Sequence, residues 1–247
     1  MTFGQTPEKL LHARDSFIAV YQLYHDEFSR CYVDPGFNAL LVTQDDLKST
    51  YSVMSELMRL GTHRQTDYFG ILPWNFTFKI NLDASTLIEK IELAEFSADV
   101  FSFFYGRPKK IWKVNNPLQG HFMELGDTLL KLIGVSANLD QLEGVIVPDH
   151  YFICRSGLYE RYWTEFLGPA LGMLLDSSQT KLQALLHRNA SFTVQSSEDN
   201  DTNSDGERPS LPIHEFVLER LFSTWLALNP DLKVTPVTGI IPFLWGL

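Results

Sequence analysis

A segment near the C-terminus places ionisable side chains inside an apolar helix. Residues 211–229 repeat apolar positions at helical spacing, and Pro212 suits the first turn. The main apolar stripe consists of Val217, Leu221, Trp225 and Leu228, with Phe216 and Leu226 on the other side. The polar residues of the same segment are His214, Glu215, Glu219 and Arg220. Because a buried charge needs a partner, the pattern indicates either a structural Glu–Arg pair or a polar cluster that lines a site.

A second group of candidate residues follows a predicted strand at 67–72. The stretch 72–81 contains Trp74, which could stack on a planar base, and Lys79, which could meet a phosphate as a point charge. Functional loops in open α/β sheets lie beyond the carboxyl ends of strands. The alternative is an aromatic packing loop with an exposed lysine.

The segment 106–121 follows another predicted strand and concentrates positive charge in an acidic chain. Its basic residues are Arg107, Lys109, Lys110 and Lys113, and its other polar candidates are Asn115, Asn116, Gln119 and His121. Local positive charge would attract a nucleotide diphosphate, and short amides can recognise hydroxyls. A solvated basic loop fits equally well. The chain has no Gly-rich dinucleotide motif, no P-loop and no Gly-x-Ser-x-Gly elbow, which argues against the corresponding classical sites.

Residues 196–210 contain no large apolar side chain and a dense negative charge, so we predict a disordered or mobile insertion. The run 201–206 begins like an EF-hand calcium loop, but Pro212 occupies the position of the required twelfth-place glutamate. The triplet 199–201 is a formal DxD metal motif. We assign no metal to it, because a pair of metal ligands needs rigid support.

Strand-like and helix-like segments alternate along the rest of the chain. The predicted strands are 16–24, 67–72, 98–105, 149–154 and 232–237. The predicted helices are a segment from 45 that Gly61 ends, one beginning at 83, 121–133 with Gly134 as its cap, 156–175 with an interruption at Gly168 and Pro169, 179–188, and the C-terminal helix. This alternation predicts a single three-layer α/β domain over 1–247, whose mixed or mostly parallel sheet of about five or six strands is covered by helices on both faces.

Composition narrows the class of protein. A chain of 247 residues with 45% hydrophobic content can bury a substantial core, and a net charge of −10 argues against nonspecific nucleic-acid binding. The cysteines Cys31 and Cys154 have no zinc or disulfide spacing, and Cys154 is predicted to be a small core residue. We expect a cytoplasmic protein, because the N-terminus lacks a signal-peptide pattern and no apolar run approaches the roughly 20 residues of a membrane span.

Six motifs occur in order along the chain: VYQLYH (20–25), DPGF (34–37), DYFGILPWNFTFK (67–79), ADVFSF (98–103), DHYFICRSGLYERY (149–162) and HEFVLERLFSTWL (214–226). Together they resemble glycosyltransferase-like proteins of bacterial surface-polysaccharide clusters, over most of the chain. The unit 149–162, followed by Glu-Arg-Leu on a later helix, is similar to the second half of transferases with a GT-A-like sheet. In those transferases the aromatic strand and helix help to form the acceptor side.

The resemblance implies transfer of a sugar from a nucleotide sugar to a polysaccharide or related acceptor. In that hypothesis Glu219, or Asp149 at a strand end, takes the proton of the acceptor hydroxyl. Arg220 would orient Glu219 or bind a phosphate. The remaining substrate-binding candidates are Trp74, Lys79, Lys110, Asn116, His121, His150 and His214.

The chain departs from the family pattern at the metal site. Such transferases commonly hold a divalent cation such as Mn²⁺ or Mg²⁺ through a DxD at a strand end, whereas the strand ends here offer Asp67 and Asp99 singly. A transferase without metal would need a basic side chain such as Lys79 or Lys110 to stabilise the leaving diphosphate. The alternative is a noncatalytic binding or accessory protein that keeps the same fold.

Overall fold

The structure, a computed structural model, describes residues 18–43, 47–94, 96–104, 107–113, 119–148, 150–188 and 213–237. Its strands are β1 (Ile18–Tyr24), β2 (Asn38–Leu41), β3 (Tyr68–Leu72), β4 (Val100–Ser102), β5 (Lys109–Lys110), β6 (Glu143–Gly144), β7 (Phe152–Arg155) and β8 (Val234–Pro236). Its α-helices are α1 (Glu27–Arg30), α2 (Leu47–Leu60), α3 (Phe76–Ile80), α4 (Ala84–Leu93), α5 (Gln119–Leu132), α6 (Ser156–Tyr162), α7 (Gly168–Leu175), α8 (Thr180–Arg188) and α9 (Ile213–Ala227).

Six strands form one mixed sheet in the order β2-β1-β3-β7-β4-β8. Strand β1 pairs in parallel with β2 and β3, and β4 pairs in parallel with β8. Strand β7 is antiparallel to both of its neighbours, β3 and β4. The other five strands therefore share one direction, and the predicted mixed sheet of about five or six strands is confirmed. Strands β5 and β6 form a separate two-stranded antiparallel ladder.

Helices cover both faces of this sheet. Successive strand residues point to opposite faces, so Tyr21 and Phe69 enter one apolar cluster, whereas Val20 and Tyr68 enter the other. Side chains of α2 and of α5 to α9 contribute to the first cluster, and side chains of α3 and α4 contribute to the second. The predicted arrangement of a sheet between two helical layers is therefore observed.

The predicted strands agree with β1, β3, β4, β7 and β8, but several short elements were not predicted. The most important is α3, because the sequence predicts a loop over 72–81. Phe76 and Ile80 lie one helical turn apart, and both side chains are fully buried, so packing stabilises a helix of only five residues. The consequence is that Lys79 lies on a helix packed against the sheet and not on a loose loop.

The predicted helix ends are observed. Gly61 follows α2 with a φ of 67°, and Gly134 follows α5 with a φ of 78°, backbone conformations that glycine adopts without strain. The interruption at Gly168 and Pro169 takes the form of a π-helical turn, Trp163–Leu167, that joins α6 to α7. Proline has no N–H to donate and crowds the carbonyl one turn earlier, so the wider turn keeps the helix continuous.

The C-terminal helix is buried on most of its faces, as predicted. Its core-facing side chains include Val217, Leu221, Phe222, Trp225 and Leu226, whereas Leu228 follows the helix and is 39% exposed. The ring of Phe222 stacks on Phe152 of β7, which fixes α9 against the sheet. Cys154 is also fully buried, as predicted, and burial raises the pKa of its thiol.

The predicted insertion 196–210 lies outside the described residues, so its interpretation stays a prediction. Among the helices of the described ranges, none is both long and apolar enough to cross a membrane.

We predict that the stability of the folded protein depends on pH through a buried histidine at the amino edge of the sheet. His63 lies before β3, and its Nε2 is 3.3 Å from Oε2 of Glu160 on α6. Burial lowers the pKa of His63 from its ordinary value, and Glu160 only partly opposes this shift. Because the unfolded chain still binds the proton near pH ~6.5, the free energy of unfolding should fall as the pH drops below that value.

Urea unfolding measures how the free energy of unfolding depends on pH. The range from about pH 7.5 to about pH 5.5 is suitable, because it lies above the titration range of ordinary carboxylates. His63→Gln should flatten the dependence, whereas His25→Gln serves as the control and should retain it. A His63→Gln protein that loses stability over this range as steeply as the original protein would contradict the assignment.

Candidate functional site

The carboxyl ends of β1 and β3 meet at the point where the strand order reverses. The chain places β2 on one side of β1 and then returns to place β3 on the other side. Open α/β sheets form a crevice at such a reversal, outside the carboxyl ends of the strands. Because β7 is antiparallel, its first residues lie at this edge too. The segments that meet here are 25–37 after β1, 73–75 after β3 and 150–151 before β7.

The buried side chain of Gln22 ties two of these segments together. Its Nε2 donates to the carbonyl of Pro73 at 3.2 Å and to that of Trp74 at 2.8 Å. Its Oε1 accepts from the backbone N–H of Asp34 at 2.8 Å. The Gln22 side chain that makes all three hydrogen bonds is 0% exposed. One buried residue of β1 therefore fixes the positions of the loops after β1 and β3 relative to each other.

Asn75 and Tyr151 connect the end of β3 to the start of β7. The hydroxyl of Tyr151 donates to Oδ1 of Asn75 at 3.1 Å, and its ring packs against Phe76 and Phe104. Burial raises the pKa of Tyr151, and the nearby carboxylate of Glu219 raises it further. The phenol is therefore a neutral hydrogen-bonding group and not a base.

Lys79 and Glu219, which are distant in the sequence, lie within the range of an electrostatic interaction. Burial lowers the pKa of the half-buried Lys79, whereas the carboxylate of Glu219 favours its charged form. The Glu219 side chain is 46% exposed, and its Oε2 lies 3.7 Å from Nη1 of Arg220, whose side chain is only 9% exposed. Glu219 is thus a solvent-accessible carboxylate beside a buried guanidinium, and its charge also acts on the partly desolvated ammonium of Lys79.

Hydrogen bonds fix the helix that carries Glu219. The hydroxyl of Ser223 accepts from the N–H of Val147 at 2.8 Å and donates to its carbonyl at 3.0 Å. Thr224 accepts from the indole N–H of Trp112 at 2.9 Å. Since all these groups are buried, α9 is held against the segment that leads into β7, and the position of Glu219 is defined by rigid neighbours.

The described part of the basic segment has partners on β6 and on the segment before it. Lys110 lies in β5 opposite Glu143 of β6, and Lys113 forms a salt bridge of 3.1 Å with Asp140. Strand pairing therefore orders Lys110 and an ion pair engages Lys113, while both interpretations of 106–121, a diphosphate-binding segment and a solvated basic loop, stay predictions.

The other candidate residues are placed as follows. Trp74 lies at the edge, directly before Asn75, and His150 directly precedes Tyr151 with a φ of 62°. Asn116 and Asp149 lie outside the described residues, and only the helical backbone is described for His121 and His214. The structure therefore places Trp74 at this edge, puts Arg220 beside Glu219 and links Glu219 electrostatically to Lys79, and it leaves the remaining assignments as predictions.

Asp67 and Asp99, the single carboxylates considered for a metal, lie at the opposite edge. They precede β3 and β4, and Asp99 pairs with Arg155 and accepts the N–H of Lys233. Their position at the amino ends of strands removes them from the candidate site. Within the described ranges, no group of three or more His, Cys, Asp or Glu side chains is arranged to hold a metal ion.

Sequence reasoning missed Gln22, Asn75 and Tyr151. A glutamine inside an apolar strand is a detectable signal, because a buried amide needs partners. The role of Tyr151 was hidden, since the sequence does not reveal that β7 runs antiparallel and brings its first residues to this edge. Comparison of the chain with protein-family models, with curated proteins and with solved structures finds no match.

Proposed function

We propose that this protein is a cytoplasmic glycosyltransferase with a GT-A-like fold that transfers a sugar from a nucleotide sugar to a hydroxyl of a glycan acceptor. The observation that carries the proposal is the half-exposed carboxylate of Glu219, which lies 3.7 Å from the buried Arg220 and interacts electrostatically with Lys79 of α3. Lys79 and Glu219 were candidates on separate grounds, one for a phosphate and one for proton transfer. The six motifs and the mixed sheet with helices on both faces support the same assignment.

The cluster contains groups suited to each part of the reaction. Glu219 accepts the proton of the acceptor hydroxyl, whose oxygen forms the new bond to the anomeric carbon. The bond from that carbon to the diphosphate oxygen breaks, and the departing charge is stabilised by Lys79. Asn75, held by Tyr151, supplies an amide that can bind a sugar hydroxyl.

The half-exposed position of Glu219 favours an enzyme over a noncatalytic accessory protein. A carboxylate that served only to neutralise Arg220 would be expected to share its burial, whereas 46% of the Glu219 side chain is open to solvent. An accessory protein would bind the same nucleotide sugars without turnover.

A thermal-shift panel of nucleotide sugars, with and without Mn²⁺ or Mg²⁺, tests the proposal. A ligand that binds the folded state raises its melting temperature. Lys79→Met should weaken binding of the stabilising nucleotide sugar by about 10- to 100-fold, the loss expected when one charged hydrogen bond is removed.

Lys90→Met is the matched control, because Lys90 is half-buried like Lys79 but lies on α4. It should retain the affinity of the original protein. The proposal fails if no nucleotide sugar in the panel raises the melting temperature, or if Lys79→Met binds as tightly as the control.

A further inference from the structure

Three aromatic side chains form a partly exposed cluster beside the candidate site. Phe28 and Tyr32, which follow β1, both pack edge-on against Trp74, which follows β3, with ring centroids 6.1 and 5.4 Å from the indole. The rings of Phe28 and Tyr32 are themselves 5.2 Å apart. Phe28 is 64% exposed and Tyr32 is 40% exposed. Trp74 is half-buried beneath them, and a contiguous group of exposed rings on such a base, unlike a single exposed side chain, indicates a binding surface.

The cluster is held in a defined shape. Asp26 caps α1 by accepting the N–H of Ser29 at 2.7 Å, and this fixes the helix that carries Phe28. Gln22 binds the carbonyl of Trp74 on one side and the N–H of Asp34 on the other. The aromatic surface therefore needs little ordering when a ligand binds, which reduces the entropic cost of association.

The charge around the cluster distinguishes between ligand classes. The segment 25–34 contains three carboxylates, Asp26, Glu27 and Asp34, and a single arginine. The side chain of Glu27 is 89% exposed, and hydrogen bonds from Ser29 lower the pKa of Asp26, which favours its anionic form. An acidic rim repels an anionic nucleotide but does not oppose a neutral ligand.

The rings also differ from a flat stacking platform. The planes of the rings lie at angles of 61° to 63° to one another, so the surface consists of tilted rings. A planar base stacks on one open ring face, whereas the C–H groups of a sugar ring can contact several tilted rings. This geometry favours a sugar over the nucleobase that the sequence suggested for Trp74.

We propose that Phe28, Tyr32 and Trp74 bind a neutral sugar unit of the glycan acceptor. The proposal rests on the proposed function, because it assigns the acceptor to the part of the carboxyl edge next to Asn75, and it leaves the diphosphate of the donor to Lys79. The aromatic rings contact the apolar face of the sugar, and its hydroxyls remain free to bind polar groups at the edge of the sheet.

Binding of neutral glycans in the absence of any donor tests this assignment. The probe is an array of neutral oligosaccharides built from hexoses, N-acetylhexosamines and deoxyhexoses, followed by calorimetry on the best binder. The Phe28→Ala/Tyr32→Ala double variant should bind that oligosaccharide at least about tenfold more weakly. Its affinity for UDP and GDP should stay within about twofold of the original, since truncation leaves Lys79 in place.

Leu93→Ala, which truncates an exposed apolar side chain at the end of α4, is the control and should change neither affinity. If the double variant is unstable, Phe28→Ala alone makes the same comparison at a highly exposed position. The assignment is overturned if the array detects no binding or if the truncation leaves the glycan affinity unchanged. It is also overturned if the truncation weakens the binding of UDP and GDP instead. Because no donor is present, failure here leaves the nucleotide-sugar test of the proposed function standing.

Discussion

Replacing Glu219 by glutamine is expected to lower sugar transfer by about 10²- to 10⁴-fold, the usual effect of removing a general base. Glutamine keeps the size of the side chain and its hydrogen-bonding capacity but cannot take a proton at neutral pH. The folded state should persist, because the Glu219 side chain is 46% exposed and lies 3.7 Å from Arg220, beyond direct hydrogen-bond distance. Turnover and melting temperature measured on the same variant give the result.

Glu165→Gln provides the matched control for this change. Glu165 also belongs to a carboxylate–arginine pair, 3.2 Å from Arg161, and its side chain is 59% exposed. Loss of such an exposed ion pair should lower the free energy of unfolding by at most about 1 kcal/mol and leave the rate of sugar transfer unchanged. Full activity in Glu219→Gln would remove Glu219 from the chemistry, and a strong fall in stability with activity retained would show a structural partner of Arg220.

Replacing Gln22 by leucine is expected to destabilise the fold by about 2–4 kcal/mol, because two carbonyls and one N–H lose their buried partner. Leucine fills a similar volume, so the loss reports the hydrogen bonds and not a cavity. Since Gln22 holds both Trp74 and Asp34, we also expect the indole fluorescence of the folded protein to change. The urea midpoint should fall with little change in the dependence of the unfolding free energy on urea.

Asn38→Ala is the corresponding control on the neighbouring strand. Asn38 is an exposed amide that donates to the carbonyl of Val20 at 3.1 Å. Removal of this hydrogen bond should lower the free energy of unfolding by about 1 kcal/mol or less. If Gln22→Leu proves no more damaging than Asn38→Ala, the loops after β1 and β3 do not depend on this amide.

The alternation of strands and helices was predictable from local patterns. The buried runs of β1 and β3, the amphipathic helix that ends at Gly61 and the apolar C-terminal helix were all read from residue spacing. The short elements were not, because α3 has only five residues and is stabilised by the burial of Phe76 and Ile80 against distant parts of the chain. Packing therefore decided the structure around Lys79, where local propensity is weak.

The features of the candidate site also fall into two groups, those that follow from the sequence and those that follow from the tertiary structure. The sequence by itself determined an acidic α/β chain and identified Lys79 and Glu219 as residues with chemical potential, since residue type and position after a strand are local properties. Only the tertiary structure decided that these two residues interact electrostatically, that Lys113 pairs with Asp140, and that Asp67 and Asp99 lie at the opposite edge. The direction and order of the strands decide which ends share an edge. Those features depend on long-range packing, as with the antiparallel β7 that brings Tyr151 to Asn75, and no local pattern in the chain encodes them.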